Sequence, residues 1–199
     1  MAKLEITGSL RATYEVVNTM REELITKKPE DAQHIERHKG RFDTKEELQR
    51  FTKKNNTILV SALQTSNHET RNGHTADISL VAFIVCRAIS NDTDAGMICE
   101  LLSTKVTKLV ATQRWGIQDA AQAQSIKSAN LYSATLDGLG VSVWAVSWVQ
   151  NMSMENTSTA ELDDFKLFIQ SNEIAQGAPT LDAHVELEGA GNGESQTET

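Results

Sequence analysis

The chain has little of what marks a secreted, membrane-spanning or metal-binding protein. Its 199 residues include only two cysteines, Cys86 and Cys99, too few for a disulfide framework and without the paired spacing of a zinc site. A reduced, buried pair is expected, one member in a strand and the other in a helix. No apolar run approaches the ~20 residues needed to cross a bilayer. The N-terminus opens polar, with no apolar signal segment, so the expected compartment is a cytosol, where sequons such as Asn91-Asp92-Thr93 carry no meaning. Catalytic signatures are also missing. There is no Gly-rich phosphate loop ending in Lys-Ser/Thr, no G-x-S-x-G elbow and no His-Glu-x-x-His.

Basic charge is scarce, and its distribution is informative. The net charge is −8, which argues against nucleic acid or an anionic membrane as a direct partner, since both reward a basic face. Residues 1–54 have a net charge of +2 and residues 55–151 of −1. Residues 152–199 contain a single cation, Lys166, and reach −9. The acidity thus belongs to the C-terminal quarter. Apolar content of 39% and charged content of 23% are ordinary for a globular domain, and the length suits one domain with an extension.

Leu10, Tyr14, Val17, Met20 and Leu24 recur at helical spacing and predict an amphipathic helix over residues 8–26, stopped by Pro29. Residues 34–42 read as a short strand or a loop closing on Gly40. Thr44-Lys45-Glu46-Glu47 has the form of a capping box, opening a short helix with Leu48 and Phe51 on one face. Ile58, Leu59, Val60 and Leu63 predict a buried strand from Thr57 to Gln64. Polar residues 65–74, with Asn72-Gly73, read as a hairpin connection, and Ala76 to Ala88 as the returning strand.

Asn91-Asp92-Thr93-Asp94 offers N-cap chemistry for a helix with Ile98, Leu102, Val106, Leu109 and Val110 as its apolar stripe. Strands over 128–136 and 140–151 flank the turn signal Asp137-Gly138-Leu139-Gly140. In the second of these, Ser142, Trp144, Val146, Trp148 and Gln150 alternate with Val141, Val143, Ala145 and Val149. Both faces are largely apolar, so the strand is expected to be covered on both sides, by helices or by a neighbouring subunit. The order predicts an α+β fold, a mainly antiparallel sheet flanked by helices, with a C-terminal extension. The expected domains are a core over 1–151, an extension over 152–187 that includes Leu162, Phe165 and Phe168, and an acidic tail over 188–199 unable to support a core.

Candidate chemistry is thin. His34 and His38 are four apart, which on a helix would put both imidazoles on one face, but a zinc site needs a third ligand and they read as surface histidines. His68 and His74 bracket the hairpin connection, where exposed polar residues belong. Asp163-Asp164 could be imagined as acid and base, yet nothing in that acidic segment would raise either pKa. Trp115, between Arg114 and Gly116 after a helix end, reads as a lid on the core or as an anchor for a partner. No catalytic residue, metal ligand or cofactor is expected, and the chain does not read as an enzyme.

Several segments together resemble the tail terminator family of Mu-like contractile-tailed phages and prophages. The similarity starts with the N-terminal helix. It continues through Gly40-Arg41-Phe42 and its short helix, Asn56-Thr57-Ile58-Leu59-Val60, the strand Asp77 to Cys86 and the long helix from Asp94. The run Gly140-Val141-Ser142-Val143-Trp144-Ala145-Val146-Ser147-Trp148 is the most distinctive part. Leu162-Asp163-Asp164-Phe165, Pro179 and Ala183-His184-Val185-Glu186-Leu187 complete a resemblance over about residues 5–187; the acidic tail and the 65–74 connection are less typical of it.

The resemblance implies a virion protein that forms a ring, sixfold in the family, at the head-proximal end of the tail. There it would stop tube and sheath polymerisation and join the tail to the neck. The implied partners are further copies of the chain, the tube and sheath proteins and the neck proteins, with assembly in the host cytoplasm. Candidate interface residues are Arg41, Phe42, Arg114 and Trp115. A slightly basic N-terminal quarter and an acidic C-terminal quarter suit head-to-tail contacts that weaken with salt. Another neck or head–tail connector protein, or a small hydrolase on the same scaffold, are the competing readings.

Overall fold

The computed structural model describes residues 3–28, 32–40, 51, 56–71, 73–87, 94–117, 119–131, 141–155 and 158–161. The described residues form, in order, β1 (Lys3–Ile6), α1 (Gly8–Arg21), a π-helical turn (Glu22–Thr26), β2 (His34–Arg37), β3 (Thr57–Glu69), β4 (Thr75–Arg87), α2 (Ala95–Thr112), β5 (Gln124–Asn130), β6 (Val141–Ser153) and β7 (Ser158–Glu161). The fold is α+β. Five strands form one sheet in the order β2-β3-β4-β6-β5. β2 runs parallel to β3, and the other neighbours are antiparallel. β1 and β7 form a separate antiparallel pair, which carries the compact unit from Met1 to Glu161.

Helix α1 covers β2 and β3, while α2 lies over β4, β5 and β6. The buried side of α1 is Ala12, Thr13, Val16, Val17 and Met20; Leu10 and Tyr14, placed in the sequence stripe, are only half-buried. After Arg21 the helix continues as a π-helical turn, Glu22–Thr26, which swings Leu24 into the core. α2 starts at Asp94, whose carboxylate accepts a hydrogen bond from the Gly96 N–H at 2.8 Å, the N-cap arrangement expected of Asp at that position. Cys99, Leu102, Val106 and Val110 form its inward stripe. They meet Ile78, Leu80, Ala82, Ile84, Val146 and Trp148 of the sheet in one core. Each large aliphatic side chain so buried contributes roughly 1.5–3 kcal/mol.

The opposite face of the sheet carries a second, smaller cluster. Phe51, Leu59, Val85, Val141 and Val143 pack together, with Phe83 against them. β6 therefore changes its buried face along its length. Val141 and Val143 are buried towards Phe51, whereas Val146, Trp148, Gln150 and Met152 are buried towards the helices. Among the described residues, cover on both sides of this strand is thus supplied within the chain, on the Phe51 face at the Val141–Val143 end.

Two sequence expectations need correction. Residues 65–69 continue β3 rather than starting the connection, because pairing runs on through Thr65↔Ile78 and Ser66↔Asp77 to Glu69↔Thr75. A register shift between Ser66 and Glu69 surrounds Asn67 at φ +49°, the left-handed conformation that Asn tolerates in a bulge. β5 starts at Gln124, earlier than residue 128, with its own irregularity around Ser125 at φ +52°. Of the ambiguous stretch 34–42, residues 34–37 form β2 and the chain bends at Gly40, whose φ of +96° suits glycine; Arg41 and Phe42 lie outside the described residues. The capping box, Leu48 and the turn signal at 137–140 lie outside the described residues.

Candidate assembly surface

A helix with one apolar stripe should turn polar residues outward, and α2 does not do so throughout. Met97 and Leu101 are 63% and 58% exposed, four residues apart and therefore on one side of the helix. Thr104 and Lys108, three and seven residues beyond Leu101, continue that side. With Glu100, Thr107, Ser128 and Trp144 they line a groove of about 360 Å³ between α2 and β5. Trp144 is half-buried here, and its indole Nε1 is enclosed without a hydrogen-bond partner among the described residues.

β5 borders the groove and forms one edge of the sheet. The Leu131 N–H donates inward to the Val143 carbonyl at 2.9 Å. Alternation in an antiparallel ladder then turns the N–H groups of Ser128 and Asn130 outward. Among the described residues nothing pairs with that outer edge. Every β5 side chain except Ile126 is exposed, and the strand holds no proline and a single charge, Lys127. Natural sheets usually blunt such an edge. An open edge, a groove and an exposed apolar pair thus form one continuous surface.

The segment after α2 is held by a buried polar network. The Gln150 side chain is fully buried, and its Oε1 accepts from Trp115 Nε1 at 2.7 Å and from Trp148 Nε1 at 3.3 Å. Its Nε2 donates to the carbonyls of Ala121 at 2.7 Å and Gln113 at 3.3 Å. All four hydrogen-bonding contacts of one amide are within the chain. Trp115 itself has φ +58° and Gly116 φ +68°. For a bulky residue this conformation costs on the order of 1–3 kcal/mol, offset by the enclosed ring and its bond to Gln150.

Of the candidate interface residues, Arg114 is exposed beside this network, while Trp115 is 1% exposed, its ring tilted against Trp148 with centroids 5.9 Å apart. Trp115 is a lid on the core. Arg41 and Phe42, like Asp163 and Asp164, lie outside the described residues. His34 and His38 fall on and just after a strand, not on a helix. His34 Nε2 meets Glu36 at 2.7 Å. His38, expected at the surface, is buried, edge-on to Phe51 and Phe83. Ser61 Oγ donates to the His38 carbonyl at 2.7 Å, tying β2 to β3 there.

Cys86 and Cys99 are free and buried. A hydrogen bond with Cys99, together with burial, pushes the Cys86 thiol well above the ordinary thiol range. Asp77 is held below the usual carboxylate range by hydrogen bonds from Asn67 and Asn151, both at 2.8 Å. It fastens the β3 bulge to β6. Among the described residues no group of three His, Cys, Asp or Glu side chains could hold a metal ion. No described helix is long and apolar enough to cross a membrane.

Sequence reasoning did not single out Met97, Leu101 or the β5 edge. A signal for the first two existed, since Met97 and Leu101 are apolar residues that do not belong to the Ile98–Val110 stripe. The edge position of β5 depends on strand order, which local pattern does not encode. No protein-family model matches the chain, and no curated protein matches it.

Proposed function

We propose that this chain is a structural virion protein, a tail terminator that works by assembling into a ring at the head-proximal end of a contractile tail. The observation that carries the assembly part is the continuous surface of Met97, Leu101, the Trp144 groove and the open edge of β5. Two apolar side chains exposed in one helix register, beside backbone donors unpaired among the described residues, suit a protein partner better than solvent. The resemblance of segments between residues 5 and 187 to the tail terminators of Mu-like phages supplies the particular assembly. In this reading a second copy covers the surface, the ring meets tube and sheath on one side, and the neck on the other. The work calls for complementary faces and no reacting groups.

The test is the oligomeric state of the purified chain at two salt concentrations, by light scattering and negative-stain microscopy, beside Leu101→Asp. Ring particles that disappear in Leu101→Asp without loss of thermal stability support the reading. Rings unaffected by the substitution would remove this surface from the assembly.

A further inference from the structure

The open edge of β5 is bordered by two faces of different chemistry. Residues paired across neighbouring strands share a face of the sheet. Ser128 pairs with Val146 and Asn130 with Trp144, so these side chains stand on the α2 side, where Met97 and Leu101 are exposed. Lys127 pairs with Ser147 and stands on the opposite side. The outward N–H groups of Ser128 and Asn130 run between the two faces. A strand that completes this edge should therefore be apolar on one face and acidic on the other.

One segment of the chain has that pattern. Leu181-Asp182-Ala183-His184-Val185-Glu186-Leu187-Glu188 alternates strictly, the period of a half-buried strand. Leu181, Ala183, Val185 and Leu187 would share one face, and Asp182, His184, Glu186 and Glu188 the other. Pro179 and Gly189 bound the run, as such residues commonly bound strands. The segment belongs to residues 162–199, which lie outside the described residues and contain eight acidic side chains and one basic. From Ala95 to Leu131, the stretch that includes α2 and β5, four basic side chains stand against two acidic. The charges are therefore complementary. The nineteen residues between Glu161 and Leu181 span up to about 65 Å when extended, long enough to reach a second copy.

We propose that residues 181–188 of a second copy add to the outer edge of β5 as a sixth strand. The apolar face lies against Met97 and Leu101, and the carboxylates lie on the side of Lys127. The N–H groups of Ser128 and Asn130 donate to backbone carbonyls of the added strand. Each copy lends one segment and receives another, a head-to-tail contact whose repetition can close a ring. The inference rests on the assembly reading and names the segment that the neighbouring copy uses.

The experiment is analytical ultracentrifugation of the full chain beside two variants, each checked for folding by circular dichroism. Ser128→Pro spoils the edge, and Val185→Asp places a charge on the apolar face of the segment. Each variant alone should self-associate about tenfold more weakly than the parent, or worse. An equimolar mixture should form a one-to-one heterodimer, because one variant keeps the segment and the other keeps the edge. Absence of that heterodimer, or a monomeric parent chain, overturns the proposal. So does Val185→Asp associating as the parent does, the result expected if β5 pairs with β5 of a second copy. Self-association lost in Leu101→Asp but kept in Val185→Asp would exclude the segment and leave the ring reading standing.

Discussion

Gln150→Met tests the buried network that shapes the segment carrying Arg114. Methionine matches the side chain in length but offers neither the carbonyl nor the amine. The substitution strips a partner from Trp115 Nε1, Trp148 Nε1 and the carbonyls of Gln113 and Ala121. A buried donor or acceptor left unmatched costs about 1–3 kcal/mol. The two short contacts, at 2.7 Å to Trp115 and Ala121, dominate, and the longer pair adds less. Relief from burying one amide offsets part of the sum, so the expected loss is about 3–4 kcal/mol. That is a large share of a typical stability of roughly 5–15 kcal/mol. Urea unfolding followed by tryptophan fluorescence measures it directly. A cycle with Trp115→Phe should show coupling of about 1–3 kcal/mol. A loss below ~1 kcal/mol, or additive effects of the two substitutions, would refute the assignment of Gln150 as the fixing residue.

Three further outcomes follow from the geometry. Asp77 is depressed in the folded chain, so its stabilising contribution is complete above its ordinary pKa of 3.8 and is lost as pH falls from there through the folded value. Asp77→Asn should therefore be less stable than the parent at neutral pH, with the gap closing below about pH 4; a gap constant with pH contradicts this. Ser128→Pro removes an outward N–H from β5 without removing a bond to β6. It should impair self-association while thermal unfolding stays within about 1 kcal/mol of the parent, and normal self-association would exclude edge pairing. Cys86 and Cys99 should resist a thiol reagent at pH 8 in the native chain and react fully in denaturant. Rapid native labelling would contradict their burial.

Much of the fold was legible because periodicity and capping are local. The stripe of α2, the Asp94 cap, strand β4 and the α+β class all follow from spacing and turn chemistry, while the first helix ends in a π-helical turn and buries Ala12, Thr13 and Val16 more deeply than Leu10 and Tyr14. The misses have a common physical cause. Thr65 and Ser66 look like a connection because they are polar, but strand pairing with Ile78 and Asp77 is a backbone matter that tolerates polar side chains on an exposed hairpin. Gln124 to Asn130 is a strand for the same reason. His38 reads as a surface residue until Phe51 and Phe83 arrive from distant positions to cover it.

The site was less legible than the fold. Trp115 could be flagged as unusual, yet its partner Gln150 is thirty-five residues away, and an isolated Gln in an apolar strand does not say what it satisfies. Met97 and Leu101 were readable only as apolar residues without a role. The openness of β5 needs the whole strand order. The proposed assembly surface is what the described residues leave uncovered, and that emerges after folding.

As the proposed tail terminator, this chain would end tail growth. The most direct measurement is the length distribution of tails, by electron microscopy, in lysates of the parent phage or prophage with and without its coding sequence. The account predicts tubes and sheaths that grow past their normal length when the chain is missing, and normal lengths when it is restored. Tails of normal length that simply fail to join heads would contradict the terminator reading and point to a neck connector instead.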